Sequence, residues 1–149
     1  MTSPFGFQRA LESPGFALWL LANRWQRHIR EALAPLELTH VQFVLLASLL
    51  WLEGAQEAVT QKKLADHAGT DPMMTSEVLR ALEGRGFVGR EAHPQDARAK
   101  VLRMTEAGRA RVAGAVQVVE AADAAFFGAL EGEGAAFLAQ MQRLLEREG

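Results

Sequence analysis

The sequence contains no cysteine. That absence excludes disulfides, thiolate nucleophiles, cysteine-ligated zinc, iron–sulfur clusters and any thiol-based redox switch. A long apolar run is also lacking. The longest, residues 44–52, is interrupted by Ser48 and falls well short of the ~20 residues that a membrane-crossing helix needs. No basic segment followed by an apolar core opens the chain, so the expectation is a cytoplasmic protein without a signal peptide or a membrane partner. The four histidines, His28, His40, His67 and His93, sit apart without the paired spacing of metal ligands. There is no Gly-rich phosphate loop and no G-x-S-x-G nucleophile motif. An enzyme is therefore not expected, nor a metal, nor a cofactor.

What is present is the composition of an ordinary folded domain: 149 residues, 49% hydrophobic and 23% charged. The net charge of −2 is unevenly spread. Residues 60–111 carry ten basic and seven acidic side chains, and the remainder carries six and eleven. The middle is thus basic by three charges and the ends acidic by five, which either creates a basic face or reflects random scatter.

Hydrophobic periodicity predicts mainly helix. Leu18, Ala22, Trp25, Ile29, Ala32 and Leu33 recur at three- and four-residue steps, ending at Ala34-Pro35. Thr39 with Gln42 forms a capping-box pattern ahead of Phe43, Leu46, Ala47 and Leu50. Thr60 caps a short helix with Leu64, Ala65 and Ala68, closed by Gly69. Asp71-Pro72 then reads as an N-cap with proline at the first helical position. This second helix buries Thr75, Val78, Leu79 and Leu82 and stops at Gly84 or Gly86. The period then changes: residues 87–91 and 100–104 read as two strands around a polar turn at 92–97, with Leu102 and Met104 on one side and Val101 and Arg103 on the other. Thr105 to Gly108 starts a long helix carrying Val112, Val116, Val119, Phe126 and Leu130. A last helix carries Phe137, Leu138, Met141, Leu144 and Leu145.

Short helix, tight turn, helix, hairpin and long helix is the order in which one helix braces another in a major groove while a wing reaches the flanking backbone or minor groove. The residues themselves resemble the MarR family of bacterial repressors. The likeness is carried by Leu38-Thr39-His40-Val41-Gln42-Phe43, Thr60-Gln61-Lys62-Lys63-Leu64-Ala65, Leu82-Glu83-Gly84-Arg85-Gly86-Phe87-Val88-Gly89-Arg90, Asp96-Ala97-Arg98-Ala99-Lys100 and Met104-Thr105-Glu106-Ala107-Gly108. The five pieces fall in register across residues 15–130, and the wing with the start of the next helix is the most specific part. The resemblance implies one domain over 1–149, mainly α with a small β-hairpin wing. Its winged helix-turn-helix lobe would span about 38–108, and a helical dimerisation region would comprise about 8–36 and 109–148. It further implies a homodimer on a pseudo-palindromic duplex operator, in which Trp25, Ile29, Leu33, Phe126, Phe137, Met141 and Leu145 either meet the partner or fill their own core.

The expected DNA contacts follow. On the recognition helix, Pro72, Met73, Met74, Ser76, Glu77 and Arg80 point outward. Arg80 suits guanine, and Ser76 a base or a phosphate. Met73 and Met74 depart from the family's small polar residues, and either pack on thymine methyls or staple onto the preceding helix. Glu77 stands where a basic residue is common and penalises wrong sites by repulsion. Thr60, Lys62 and Lys63 are expected at phosphates, which give affinity without sequence information. On the wing, Arg98 matches the family arginine that enters the minor groove. Asp96 pairs with it or closes the turn, and Arg90, His93 and Lys100 reach the backbone. The resemblance also implies a small aromatic or lipophilic effector, for which Trp25, His28, His40, Phe43 and Arg90 are the candidate lining. The competing reading is a winged-helix interaction module without DNA binding, favoured by the acidic total charge and Glu77.

Overall fold

The computed structural model describes residues 2–55 and 58–147, so the last position of the expected 109–148 segment lies outside them. Among the described residues the elements are α1 (Pro14–Leu33), α2 (His40–Gly54), α3 (Gln61–Ala68), α4 (Pro72–Gly84), β1 (Val88–Ala92), β2 (Lys100–Met104), α5 (Glu106–Phe127) and α6 (Gly134–Glu146). The fold is mainly helical with one antiparallel hairpin, pairing Val88 with Met104 through to Ala92 with Lys100.

Local chemistry sets most of the helix boundaries. The Ser13 hydroxyl accepts the Phe16 amide at the start of α1. At Pro35 the helix gives way to a single 3-10 turn, Ala34–Leu36, followed by Glu37 in the left-handed region. Thr39 and Gln42 cap α2 reciprocally, each side chain taking the other's backbone amide. Gly69 closes α3 at φ 71°, and Gly86 follows α4 at φ 78°; both lie in the region that glycine enters without steric cost.

Contacts divide the chain into two compact units, with the boundaries falling inside α1 and α5. One unit is Arg30–Val119, larger than the expected 38–108 lobe at both ends. Its core combines Leu45, Leu46 and Leu49 of α2, Leu64 of α3, Leu79 and Leu82 of α4, and Val101 and Leu102 of β2, all 1% exposed or less. The other unit joins Met1–Ile29 with Glu120–Gly149. There the Trp25 indole Nε1 donates to Asp123 Oδ1 at 2.8 Å, tying α1 to α5, and the His28, Phe126, Phe127 and Phe137 rings follow one another in contact.

The packing decides four points that the sequence left open or placed elsewhere. Val101 is buried as well as Leu102, although the two point to opposite faces of β2. The Leu102 amide donates to the Val59 carbonyl on the edge away from β1, and β2 packs against α2 and α3. In α2 the buried residues are Leu45, Leu46 and Leu49 rather than Phe43, Ala47 and Leu50, because α2 is apolar nearly all round and periodicity alone does not choose its face. Ile29 and Leu33 are fully buried within the chain itself and so belong to its core, not to a partner surface. Finally, Glu106–Leu130 is long and apolar enough to cross a membrane by length and composition, although no uninterrupted apolar run signalled it. Its buried positions Val112, Ala115, Val119 and Ala122 recur at three- and four-residue steps, the one-sided burial of a helix packed on protein.

Candidate nucleic-acid interface

The helix-turn-helix is held by its turn. Thr60 Oγ1 accepts the Lys63 amide at 3.2 Å and caps α3, leaving the hydroxyl proton available to donate. The Asp71 carboxylate accepts the Met74 amide at 2.8 Å and caps α4, with Pro72 at the first helical position. In the first turn of α4, Thr75 is the buried polar side chain among the described residues. Its hydroxyl donates to the Asp71 carbonyl at 2.8 Å. Because that spends its single proton, the 2.6 Å contact with Thr70 must run from the Thr70 hydroxyl to Thr75 Oγ1. Two hydroxyls in relay thereby tie the turn to α4, while the Thr70 amide donates to the Ala65 carbonyl of α3.

With Thr75, Leu79 and Leu82 packed inward, α4 presents Met73, Glu77 and Arg80 on the opposite side, at four- and three-residue steps. Pro72 and Met74 are exposed beside them, and Ser76 is half-buried, accepting from Arg80 Nη2 at 3.2 Å. Lys62 and Lys63 are exposed on α3, with Lys62 Nζ 3.0 Å from Asp66. The wing tip is an organised loop. Arg98 N donates to Asp96 Oδ1 at 3.0 Å, so the carboxylate closes the turn, and Gln95 N donates to His93 Nδ1 at 3.0 Å. The Arg98 and Lys100 side chains project into solvent.

A braced outward helix beside an arginine-tipped wing is the geometry of a DNA reader, and comparison with known proteins decides its lineage. Residues 38–100 match the model of the MarR family. The chain is 48% identical over 137 residues to the HTH-type transcriptional regulator YdcH of Bacillus subtilis (strain 168), covering 91% of this chain and 92% of that protein. The chain belongs to the MarR family. Among solved structures, CouR from Rhodococcus jostii RHA1 bound to p-coumaroyl-CoA is 28% identical with a TM-score of 0.79, covering 94% of each chain. The transcriptional repressor CouR bound to a 23-mer DNA duplex is 29% identical with a TM-score of 0.80, covering 96% of this chain and 99% of that one. This MarR-family protein is a DNA-binding transcriptional regulator.

In this MarR-family lobe, residues that sequence reasoning passed over build the wing's support. The Glu53 carboxylate accepts the Met104 amide at 2.7 Å and receives Arg109 at 3.1 Å, anchoring the end of β2 to α2. Its signal was available: Glu53 is the one carboxylate in the largely apolar α2. Arg85 and Arg111 lie over the Phe87 ring at 4.8 and 5.0 Å, and donate to the carbonyls of Glu37 and Leu36. They bind the segment before α2 to the α4–β1 junction and α5. Arg90, expected both at the DNA backbone and at an effector, places Nε 2.6 Å from Glu83 and Nη2 3.0 Å from Gln61, bracing β1 against α4 and α3.

The other candidate effector residues are divided between the two units. Trp25 and His28 belong to one, and His40, Phe43 and Arg90 to the other. His28 Nε2 is buried without a hydrogen-bond partner among the described residues. A cavity of about 550 Å³ in the Arg30–Val119 unit is lined by Leu36, Phe87, Ala110, Arg111 and neighbours, and includes none of the expected effector residues.

Proposed function

We propose that this protein is a cytoplasmic homodimeric repressor that holds a pseudo-palindromic duplex operator and releases it on binding a small aromatic or lipophilic effector. The observation that carries the DNA reading is the outward stripe Met73, Glu77 and Arg80, opposite the packed face of α4 and accompanied by the exposed Arg98 of the wing. Met73, Ser76, Glu77 and Arg80 take the base edges, with Pro72 and Met74 beside them. Thr60, Lys62, Lys63, His93 and Lys100 take phosphates, and Asp96 shapes the wing that delivers Arg98 to the minor groove.

Dimerisation is supported by apolar side chains left in solvent by a single chain: Leu18 and Trp19 of α1, and Leu138, Leu144 and Leu145 of α6, all at least half exposed. Covering such a surface is the ordinary reason for its existence. Two α4 helices related by a two-fold axis would then meet half-sites about 34 Å apart, one turn of duplex. The effector reading is supported by the orphaned His28 Nε2, which a carboxyl or carbonyl group could satisfy, and by CouR, solved with p-coumaroyl-CoA and with DNA. The effector acts by preferring the dimer shape that does not fit DNA.

Selection of bound fragments from genomic DNA, followed by titration at several salt concentrations, tests the first part. Affinity falling steeply with salt, with two related half-sites per fragment, is expected; salt-independent or absent binding overturns it. Light scattering of the free protein tests the dimer. Gel-shift release by aromatic carboxylates and their acyl thioesters tests the effector, and a response lost in His28→Ala identifies its site.

A further inference from the structure

Two large apolar side chains stand in solvent at the start of α4: Met73 is 75% exposed and Met74 is 44% exposed. Had Met73 stapled onto α3, it would be buried. Met73 lies two residues before the fully buried Thr75, about 200° around the helix, and so points directly away from the packed face. The Asp71 cap and Pro72 fix this first turn, so the exposure is a property of the fold and not of a frayed end. The polar groups of the same stripe, Glu77 and Arg80, lie one and two turns further on. Pro72, Met73 and Met74 thus offer a base pair no side-chain donor or acceptor, only ring, thioether and methylene surface. In the major groove one base-edge group answers that chemistry, the C5-methyl of thymine.

We propose that Met73 is a specificity residue that reads thymine by its methyl group, with Met74 closing the flank of the same contact. This rests on the reading of α4 as the recognition helix. The operator then requires thymine at one fixed position in each half-site, for an apolar reason rather than a hydrogen-bonded one. Glu77, one turn on, adds a penalty for displaced registers and so holds Met73 over that base.

The test uses the full-length protein and duplexes obtained by selection. Each thymine of a half-site is replaced in turn by uracil, which deletes the methyl and preserves every hydrogen-bonding atom. At one position, and at its symmetry mate, the wild-type Kd should rise roughly four-fold for each methyl removed, the worth of one buried methyl group. Cytosine there should bind worse than 5-methylcytosine. In Met73→Ala, thymine and uracil duplexes should bind alike, whereas Met73→Leu should keep the difference. Met73 contributes nothing to the core, so both variants should melt with the parent. If uracil is neutral at every position, or its penalty survives in Met73→Ala, the proposal is overturned while DNA binding stands. If no duplex binds at low salt, the recognition-helix reading falls and this inference with it.

Discussion

A Cβ added to Gly108 would stand 2.1 Å from the Phe87 carbonyl oxygen. That oxygen already accepts the Thr105 amide, and the Thr105 hydroxyl donates to the Gly86 carbonyl while accepting the Gly108 amide. The Thr-Glu-x-Gly start of α5 is thus a lock between the last helix of the winged lobe and the turn that launches the hairpin. The obstacle is backbone and not a flexible side chain, so it cannot swing aside. Gly108→Ala should destabilise the protein by at least the ~1–3 kcal/mol of an overpacked core site. Gly89→Ala, where no atom lies within 4 Å of the new Cβ, should be close to neutral. Thermal melts of the two variants decide it, and equal melting temperatures would remove the lock.

Glu53 separates an acceptor from a charge. Glu53→Ala leaves the Met104 amide without its partner and should cost about 1–3 kcal/mol. Glu53→Gln keeps an oxygen for that amide and loses only the ion pair to the exposed Arg109, worth about 0–1 kcal/mol. Urea unfolding should rank parent, Gln, Ala in falling stability.

Thr75→Val removes the relay at the α3–α4 turn while keeping side-chain volume. The Thr70 hydroxyl and the Asp71 carbonyl both lose a partner, so a loss of about 1–2 kcal/mol is expected, with weaker operator binding. Thr75→Ser should retain the bonds and most of the affinity. A Val variant as stable as the parent would show that the relay does not set the turn.

Arg98→Ala should weaken operator binding by more than ~1 kcal/mol, the scale of one specific contact, with an unchanged melting temperature because the tip is exposed. Unchanged affinity in a gel-shift titration would exclude Arg98 from the interface.

Lys62→Ala should alter stability by less than ~0.5 kcal/mol, since its pair with Asp66 is surface-exposed. It should nevertheless lower the steepness of the log Kd against log salt plot by about one for each protomer, as one phosphate contact is lost.

The elements that sequence reasoning placed well are those whose signals are local. Thr39 with Gln42, Thr60, Asp71-Pro72 and Gly69 act within one helical turn of themselves, so their caps were legible before any packing was known. Thr75, Leu79 and Leu82 followed from period alone because α4 has one apolar face. In α2, apolar nearly all round, period carried no such information.

The site was legible in type and less so in detail. Arg98 and Lys62, expected at DNA from the family resemblance, are both exposed. Arg90 has the same chemistry, yet Glu83 and Gln61, seven and 29 residues away in sequence, take up its donors. Whether Met73 stapled inward or faced outward depended on where the first turn of α4 lay relative to α3, which no local pattern specifies.

The sequence by itself therefore determined the order of the elements, their caps, the wing and the family, because those depend on residues within a few positions of one another. Only the tertiary structure decided which arginines are engaged within the fold and which stay exposed, why residue 108 must be glycine, and that Met73 stands clear of the core. Each of these depends on groups distant in sequence being brought within a few ångströms, and that proximity is produced by packing rather than by local preference.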